Sequence, residues 1–315
     1  MTAYAVGWAV PHARASASWP DRPVTLLVPF PSGGGTDAFA RPLAAMLTRG
    51  LGQQVLVDNR GGAGGTVGAA LSAKAAPNGY TLFVGGVHHA IAPSVYRHLS
   101  YDIESDFAPV ALLCKVPQVL VVANHDPATD LRSFLDILRA RPGEISFASA
   151  GNGTSHHLAA ELFQLQTNTH MIHIPYRGAG PALQDLVAGQ VDAMFDGLGS
   201  SAQHIRSGRV RALALAASTR AAAAPGVPTF AEAGLAGYQV TTWYGLWAVR
   251  GTPAPVLERL QAELAKAFAT PELRDTWLQL GSEVPSVYGS EFSSFVSAEI
   301  RRWADVVRRS GVRLD

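Results

Sequence analysis

Short apolar stretches alternate along this chain with segments whose apolar residues recur every three to four positions, a rhythm that predicts alternating strands and helices. Residues 24–28 (Val-Thr-Leu-Leu-Val) are β-rich and bracketed by prolines, as a short buried strand is. Over 37–48 the apolar positions Phe39, Leu43, Met46 and Leu47 fall at helical spacing, and Gly50 and Gly52 supply the stop. A strand over 55–58, a small-residue helix over 66–75 closed by Pro77-Asn78-Gly79, and a strand over 80–84 follow. The alternation begins again further on, with strands over 145–149, 171–174, 191–195 and 210–216, and helices over 156–166, 181–188 and 201–207. Two separate β-α-β blocks predict an α/β molecule of two lobes, each a mostly parallel sheet flanked by helices.

Between the blocks, 110–123 is apolar apart from Lys115 and Pro117, and too long for an ordinary strand. It reads as a strand crossing from lobe one to lobe two, with 238–249 as the return crossing. Helices over 253–269, 271–280 and 290–309 then rejoin lobe one. The last carries Phe292, Phe295, Val296, Ile300, Trp303 and Val307 on one stripe, with its arginines largely outside it. On this reading lobe one comprises 18–119 and 240–315, and lobe two 120–239.

Composition narrows the partners. The 315 residues carry 25 Lys and Arg against 24 Asp and Glu, so the net charge of +1 leaves no basic surplus for a row of phosphates, and nucleic acid is excluded as a partner. No apolar run reaches the ~18 residues that span a bilayer. The one cysteine, Cys114, lies in an apolar run and reads as a small buried hydrophobe. Residues 1–17 are mildly apolar and end in Ala15-Ser16-Ala17, the small-x-small form of a signal-peptidase site. They are read as a shortened signal segment, so an exported chain is expected, and it is read as a monomer.

Two glycine-rich loops stand out. Phe30-Pro31-Ser32-Gly33-Gly34-Gly35-Thr36-Asp37 joins a strand to a helix, with Thr36 or Asp37 as the expected cap. Ala150-Gly151-Asn152-Gly153-Thr154-Ser155 repeats the arrangement in the second block, with Thr154 or Ser155 as cap. Glycines let backbone approach a ligand, and the first amides of each helix point beyond the strand ends, which makes an anion site. Ligands of open parallel sheets sit at those carboxyl ends. Neither loop is a nucleotide motif: the first lacks the Gly-Lys-Ser/Thr ending of a P-loop, and 62–67 misses the last glycine of G-x-G-x-x-G.

The first loop, together with Val28-Pro29, resembles that of the Bug-type receptors, the extracytoplasmic solute-binding proteins of the tripartite tricarboxylate transporter family. Matching pieces follow in order: 58–65 (Asp-Asn-Arg-Gly-Gly-Ala-Gly-Gly), 76–82 (Ala-Pro-Asn-Gly-Tyr-Thr-Leu), 106–110 (Asp-Phe-Ala-Pro-Val), 147–155, 175–178 (Pro-Tyr-Arg-Gly), 227–229 and 232–234. The resemblance covers the chain from about Trp19 onward. It implies a type II Venus-flytrap periplasmic binding protein that is not an enzyme, uses no cofactor or metal, captures a small carboxylate (a di- or tricarboxylate, amino acid or aromatic acid) and hands it to membrane permease subunits. Carried onto this sequence, the ligand-binding residues are Ser32, Gly33, Gly34, Thr36 and Asp37 in lobe one, and Gly151, Thr154, Ser155, Tyr176 and Asp196 in lobe two. Asp37 has a second reading as a helix cap. An Asp196 beside a bound carboxylate requires an intervening donor or water. Three positions depart from the family: Ser32 replaces a common proline, Gly197 a common amide residue, and 85–89 (Gly-Gly-Val-His-His) stands where small polar residues line the cleft, which makes His88 a candidate ligand contact.

The histidine pairs 88–89 and 156–157, and His170 with His173, lack acidic or cysteine companions at zinc spacing; structural roles are expected, with His88 or His156 the two placed to touch a ligand. The competing class is an α/β enzyme, but Gly-x-Ser-x-Gly after a strand is absent. A carboxylate sensor is the third class, and it would carry a fused signalling domain.

Overall fold

The computed structural model describes residues 19–282 and 284–310, so the expected signal segment lies outside the described residues. In the first lobe β1 (Val24–Val28) pairs in parallel with β2 (Val55–Asn59) and β3 (Thr81–Gly86). Antiparallel β9 (Thr241–Val249) then lies between β3 and the first part of β4 (Phe107–Ala123). The second lobe repeats the plan: β5 (Ser146–Ser149) pairs in parallel with β6 (Ile172–Pro175) and β7 (Ala193–Gly197), and the rest of β4 lies antiparallel between β7 and β8 (Val210–Leu215). The strand orders β2-β1-β3-β9-β4 and β6-β5-β7-β4-β8 are the same arrangement used twice.

β4 serves both sheets. It pairs with β9 from Phe107 to Pro117 and with β7 and β8 from Gln118 to Ala123. Its near-continuous apolar sequence follows, since both faces are covered and no polar alternation is required. Cys114 is buried within it, as expected.

Helices occupy the crossovers: α1 (Gly35–Leu51) and α2 (Thr66–Ala73) in lobe one, and α5 (Ser155–Thr167), α6 (Ala179–Val187) and α7 (Leu198–Arg206) in lobe two. Two helices carry no predicted element. α3 (Val87–Val95) follows β3 directly, and its buried histidines and apolar residues leave no polar face to reveal a helical period. α4 (Leu131–Ala140) starts at Asp130, whose carboxylate accepts from the Ser133 amide at 2.8 Å. After β9, α8 (Ala254–Ala269) and α9 (Pro271–Gln279) pack on α1, with Trp277 edge-on to Phe39 at 5.5 Å between ring centroids. α10 (Gly289–Ser310) buries Phe292 against Trp243 and Trp247. Its Glu299 accepts from the indole N–H of Trp243 at 2.8 Å and of Trp303 at 3.2 Å.

The lobes meet face to face. A Cβ on Gly180 would lie 2.6 Å from the Ser32 carbonyl oxygen, so only glycine permits this approach. Tyr96 reaches across to donate to the Asn152 carbonyl at 3.3 Å. None of the described helices is long and apolar enough to cross a membrane.

Candidate ligand cavity between the lobes

The β1–α1 loop is shaped by its own side chains. Asp37 Oδ2 accepts from the Gly33 amide at 3.2 Å and from Arg41 Nε at 2.8 Å. Asp37 Oδ1 accepts from Asn59 Nδ2 at 3.0 Å, and the same amide nitrogen donates to the Phe30 carbonyl at 2.9 Å. The carboxylate thus braces the loop from behind. It neither caps α1 nor faces the other lobe; Gly34 occupies the N-cap position, with no side-chain cap. The first intrahelical bond runs from the Ala38 amide to the Gly34 carbonyl, so the amides of Gly35, Thr36 and Asp37 precede it.

The β5–α5 loop is braced differently. The Gly153 amide donates to His157 Nδ1 at 3.2 Å, and the His157 ring stacks on His173 at 4.0 Å between centroids. His173 Nε2 lies 2.6 Å from Ser149 Oγ, and that oxygen accepts from the Gly151 amide at 3.1 Å. Burial, reinforced by neighbouring His157, lowers the His173 pKa to about 3. Thr154 is the N-cap of α5, but its hydroxyl donates back to the Gly151 carbonyl at 2.7 Å instead of serving the helix.

Between the two loops lies a cavity of about 10 Å³, barely the room of one water molecule and far below the ~300 Å³ at the small end of ordinary ligand pockets, so the two loops stand closed on each other. Phe30, Gly34, Gly35, Thr36 and His88 line it from lobe one, Tyr244 from β9, and Ala150, His156 and Ala179 from lobe two. Four helices place first-turn residues in this wall: Gly35 and Thr36 of α1, His88 of α3, His156 of α5 and Ala179 of α6. The positive ends of four helix dipoles therefore converge on one small space that, among the described residues, no lysine or arginine lines.

His88 links the lobes. Its Nδ1 accepts from the Ser155 amide at 3.2 Å, which leaves its ring proton on Nε2. Its ring sits edge-on to Phe30 at 4.9 Å and to His156 at 5.8 Å. Burial holds its pKa well below the usual imidazole range, with His156 and His89 adding to the effect. His89 points the other way, accepts from the Gly86 amide at 3.1 Å and is pushed down to about 4, mainly by burial. Asp196 lies behind His156 and is fully buried; its Oδ2 accepts from Ser200 Oγ at 2.6 Å and Ser201 Oγ at 2.5 Å.

Of the sequence candidates, Gly34, Thr36 and His88 line the cavity, Ser155 reaches it through His88, and Asp196 stands one layer behind. Ser32 and Gly33 lie on the exposed lip against Gly180. Gly151 and Tyr176 line an outer groove at the mouth, and the Tyr176 hydroxyl is spent on Asp185 at 2.7 Å. Tyr244 and Ala179 went unforeseen. Tyr244 buries its hydroxyl against Thr36 and so close to Gly35 that any side chain there would collide with it. Its trace in the sequence is a polar-tipped ring within the largely apolar run 243–249. Among the described residues no three His, Cys, Asp or Glu side chains gather where a metal ion would be held.

Comparisons with known proteins point one way. The family model described as the tripartite tricarboxylate transporter family receptor matches residues 39–312. The chain is 37% identical to BugT of Bordetella pertussis over 94% of this chain and 92% of that protein. It is 41% identical to a UPF0065 protein from the tcbD-tcbE intergenic region of Pseudomonas sp. strain P51, over 94% of this chain and 88% of that protein. Two similar solved structures come from Rhodopseudomonas palustris. MatC with bound malate has a TM-score of 0.87 and 39% identity, covering 92% of this chain and 100% of that one. A protein solved with adipate has a TM-score of 0.90 and 35% identity, covering 93% and 98%.

Proposed function

This chain belongs to the receptor family of the tripartite tricarboxylate transporters, and from that premise we propose that it captures a small carboxylate in the cavity between its lobes and presents it to membrane permease subunits. As a solute-binding receptor of this family it works outside the cytoplasm, and we place it in the periplasm as a monomer. The observation that carries the ligand class is the convergence of four helix N-termini on one enclosed space. Each helix end favours a negative charge by about 0.3–1 kcal/mol, and by up to ~2 kcal/mol where partly buried. A micromolar ligand needs about 8 kcal/mol, and charge-assisted hydrogen bonds from the first-turn amides and the two imidazoles supply the remainder. Malate and adipate, bound by the two similar proteins, are short carboxylates, and the lobes would have to part to admit either into a cavity of about 10 Å³.

The site is proposed to bind without turnover. Ser149 and His173 are within hydrogen-bond distance, but Ser149 is fully buried and its oxygen braces the loop. Titration with a panel of di- and tricarboxylates, amino acids and aromatic acids tests the reading. At a hundred times Kd the correct ligand stabilises the fold by about 2.7 kcal/mol, and thermal melting reads this directly. A panel with no saturable stabilisation overturns the assignment, as does hydrolysis of a generic ester by the purified chain.

A further inference from the structure

His156 stands between two places that both call for a hydrogen-bond donor. Its ring lines the cavity, and its Nε2 lies 3.6 Å from Asp196 Oδ1. That oxygen and His156 Nδ1 are both buried with no hydrogen-bond partner among the described residues. The hydroxyls of Ser200 and Ser201 already fill Asp196 Oδ2, so Oδ1 still needs a donor, and His156 is the group set beside it. A carboxylate in the cavity needs donors as well. Neutral imidazole has one N–H and can serve Asp196 or the ligand; imidazolium has two and serves both.

The groups facing this pair leave the role to His156. From α3, His88 already uses its Nδ1 to accept from Ser155, so a second proton there would break that contact between the lobes. From β9 comes the Tyr244 phenol, and from α7 His204 lies beyond Asp196. α1 offers the non-titrating Thr36, since Asp37 turns back to Arg41. On His156's own helix, His157 is engaged with Gly153 and Glu161.

Resting on the carboxylate reading above, we infer that this receptor takes up its ligand together with one proton, held on His156 between Asp196 and the ligand. The proton comes from solvent and goes to the imidazole, while the ligand stays a carboxylate. With the lobes together, burial holds His156 below the usual imidazole range, opposed by Asp196; a second anion on the cavity side adds to Asp196 and reverses the balance.

The test is calorimetry on the full chain with malate and with adipate, in two buffers of different ionisation enthalpy at pH 7.5. Uptake of about one proton per ligand is expected. Kd should weaken about tenfold for each pH unit above ~7, because the unliganded imidazole is then neutral. His156→Gln should bind without uptake and with flat pH dependence, and Asp196→Asn should reduce the uptake. Tight binding by the natural chain with no proton uptake overturns the inference and leaves the carboxylate reading standing. Undiminished uptake in His156→Gln also overturns it, because the proton then resides elsewhere. If no carboxylate in the panel binds, both fall together.

Discussion

The two lobes are built on the same strand order, yet they approach the cavity with different chemistry. At its β1–α1 loop lobe one offers mainly backbone: Gly34, Gly35 and Thr36 form the wall there, and the one acid of the loop, Asp37, is spent on Arg41, Asn59 and the Gly33 amide, while the lobe's imidazole in the wall, His88, comes from α3. Lobe two offers side chains, with His156 in the wall, Asp196 behind it, and a loop held by His157, His173 and Ser149. The first loop can be altered only by crowding it or by cutting its charged brace. The second responds to protons as well. One scaffold, used twice, thus carries one loop braced by a carboxylate and one braced by imidazoles.

Three experiments sharpen or break this contrast. The largest effect is expected from Gly180→Val, which drives a side chain into the Ser32 carbonyl and holds the lobes apart. Overpacking of about 1–3 kcal/mol corresponds to affinity weaker by up to roughly 100-fold, with melting of the unliganded protein little changed. An unaltered Kd would mean that the lobes need not meet as they do here. Next comes acid. Unfolded His173 titrates near 6.5 and folded His173 at about 3, so the unfolded chain binds more protons within that window. The stability from this neutral imidazole is complete above about pH 6.5 and is lost as the pH falls toward 3. Allowing for partial exposure, the loss is on the order of 1–2 kcal/mol. Hydrogen exchange corrected for its intrinsic pH dependence should show residues 150–155 loosening between pH 6.5 and 5 while 30–37, whose brace has no imidazole, keep their protection. Equal loosening of both would erase the distinction. The smallest effect belongs to Tyr96→Phe, which removes the hydroxyl's bonds to the Ala63 and Asn152 carbonyls. About 0.5–1 kcal/mol is expected, a two- to fivefold weaker Kd in the same titration.

Much of the fold is legible in the sequence because its signals are local. The β1–α1 and β5–α5 loops announce themselves by clustered glycines between an apolar run and a helical period, and the length of β4 marks a strand that serves two sheets. The site is less legible because its occupants come from distant segments. Asp37 and Asn59 are 22 residues apart, and only the pairing of β1 with β2 reveals that the carboxylate faces backward. Tyr176 sits in a motif beside the cleft, but its hydroxyl finds Asp185, nine residues on. Tyr244 and Ala179 line the cavity because β9 and α6 converge there, a meeting of segments 65 residues apart that local pattern does not reveal, although Ala179 directly follows the 175–178 motif. α4 is the opposite case: Asp130 and Ser133 form a cap readable from sequence, and 131–140 remained without a predicted element.

Among the described residues only β4 and β9 carry the chain between the lobes, side by side and antiparallel, with β4 changing partners between Pro117 and Gln118. Two parallel rails so close together resist sliding and stretching, and they yield readily only to bending and twisting. Any parting of the jaws to admit or release a ligand is therefore expected to bend or twist this one pair of strands.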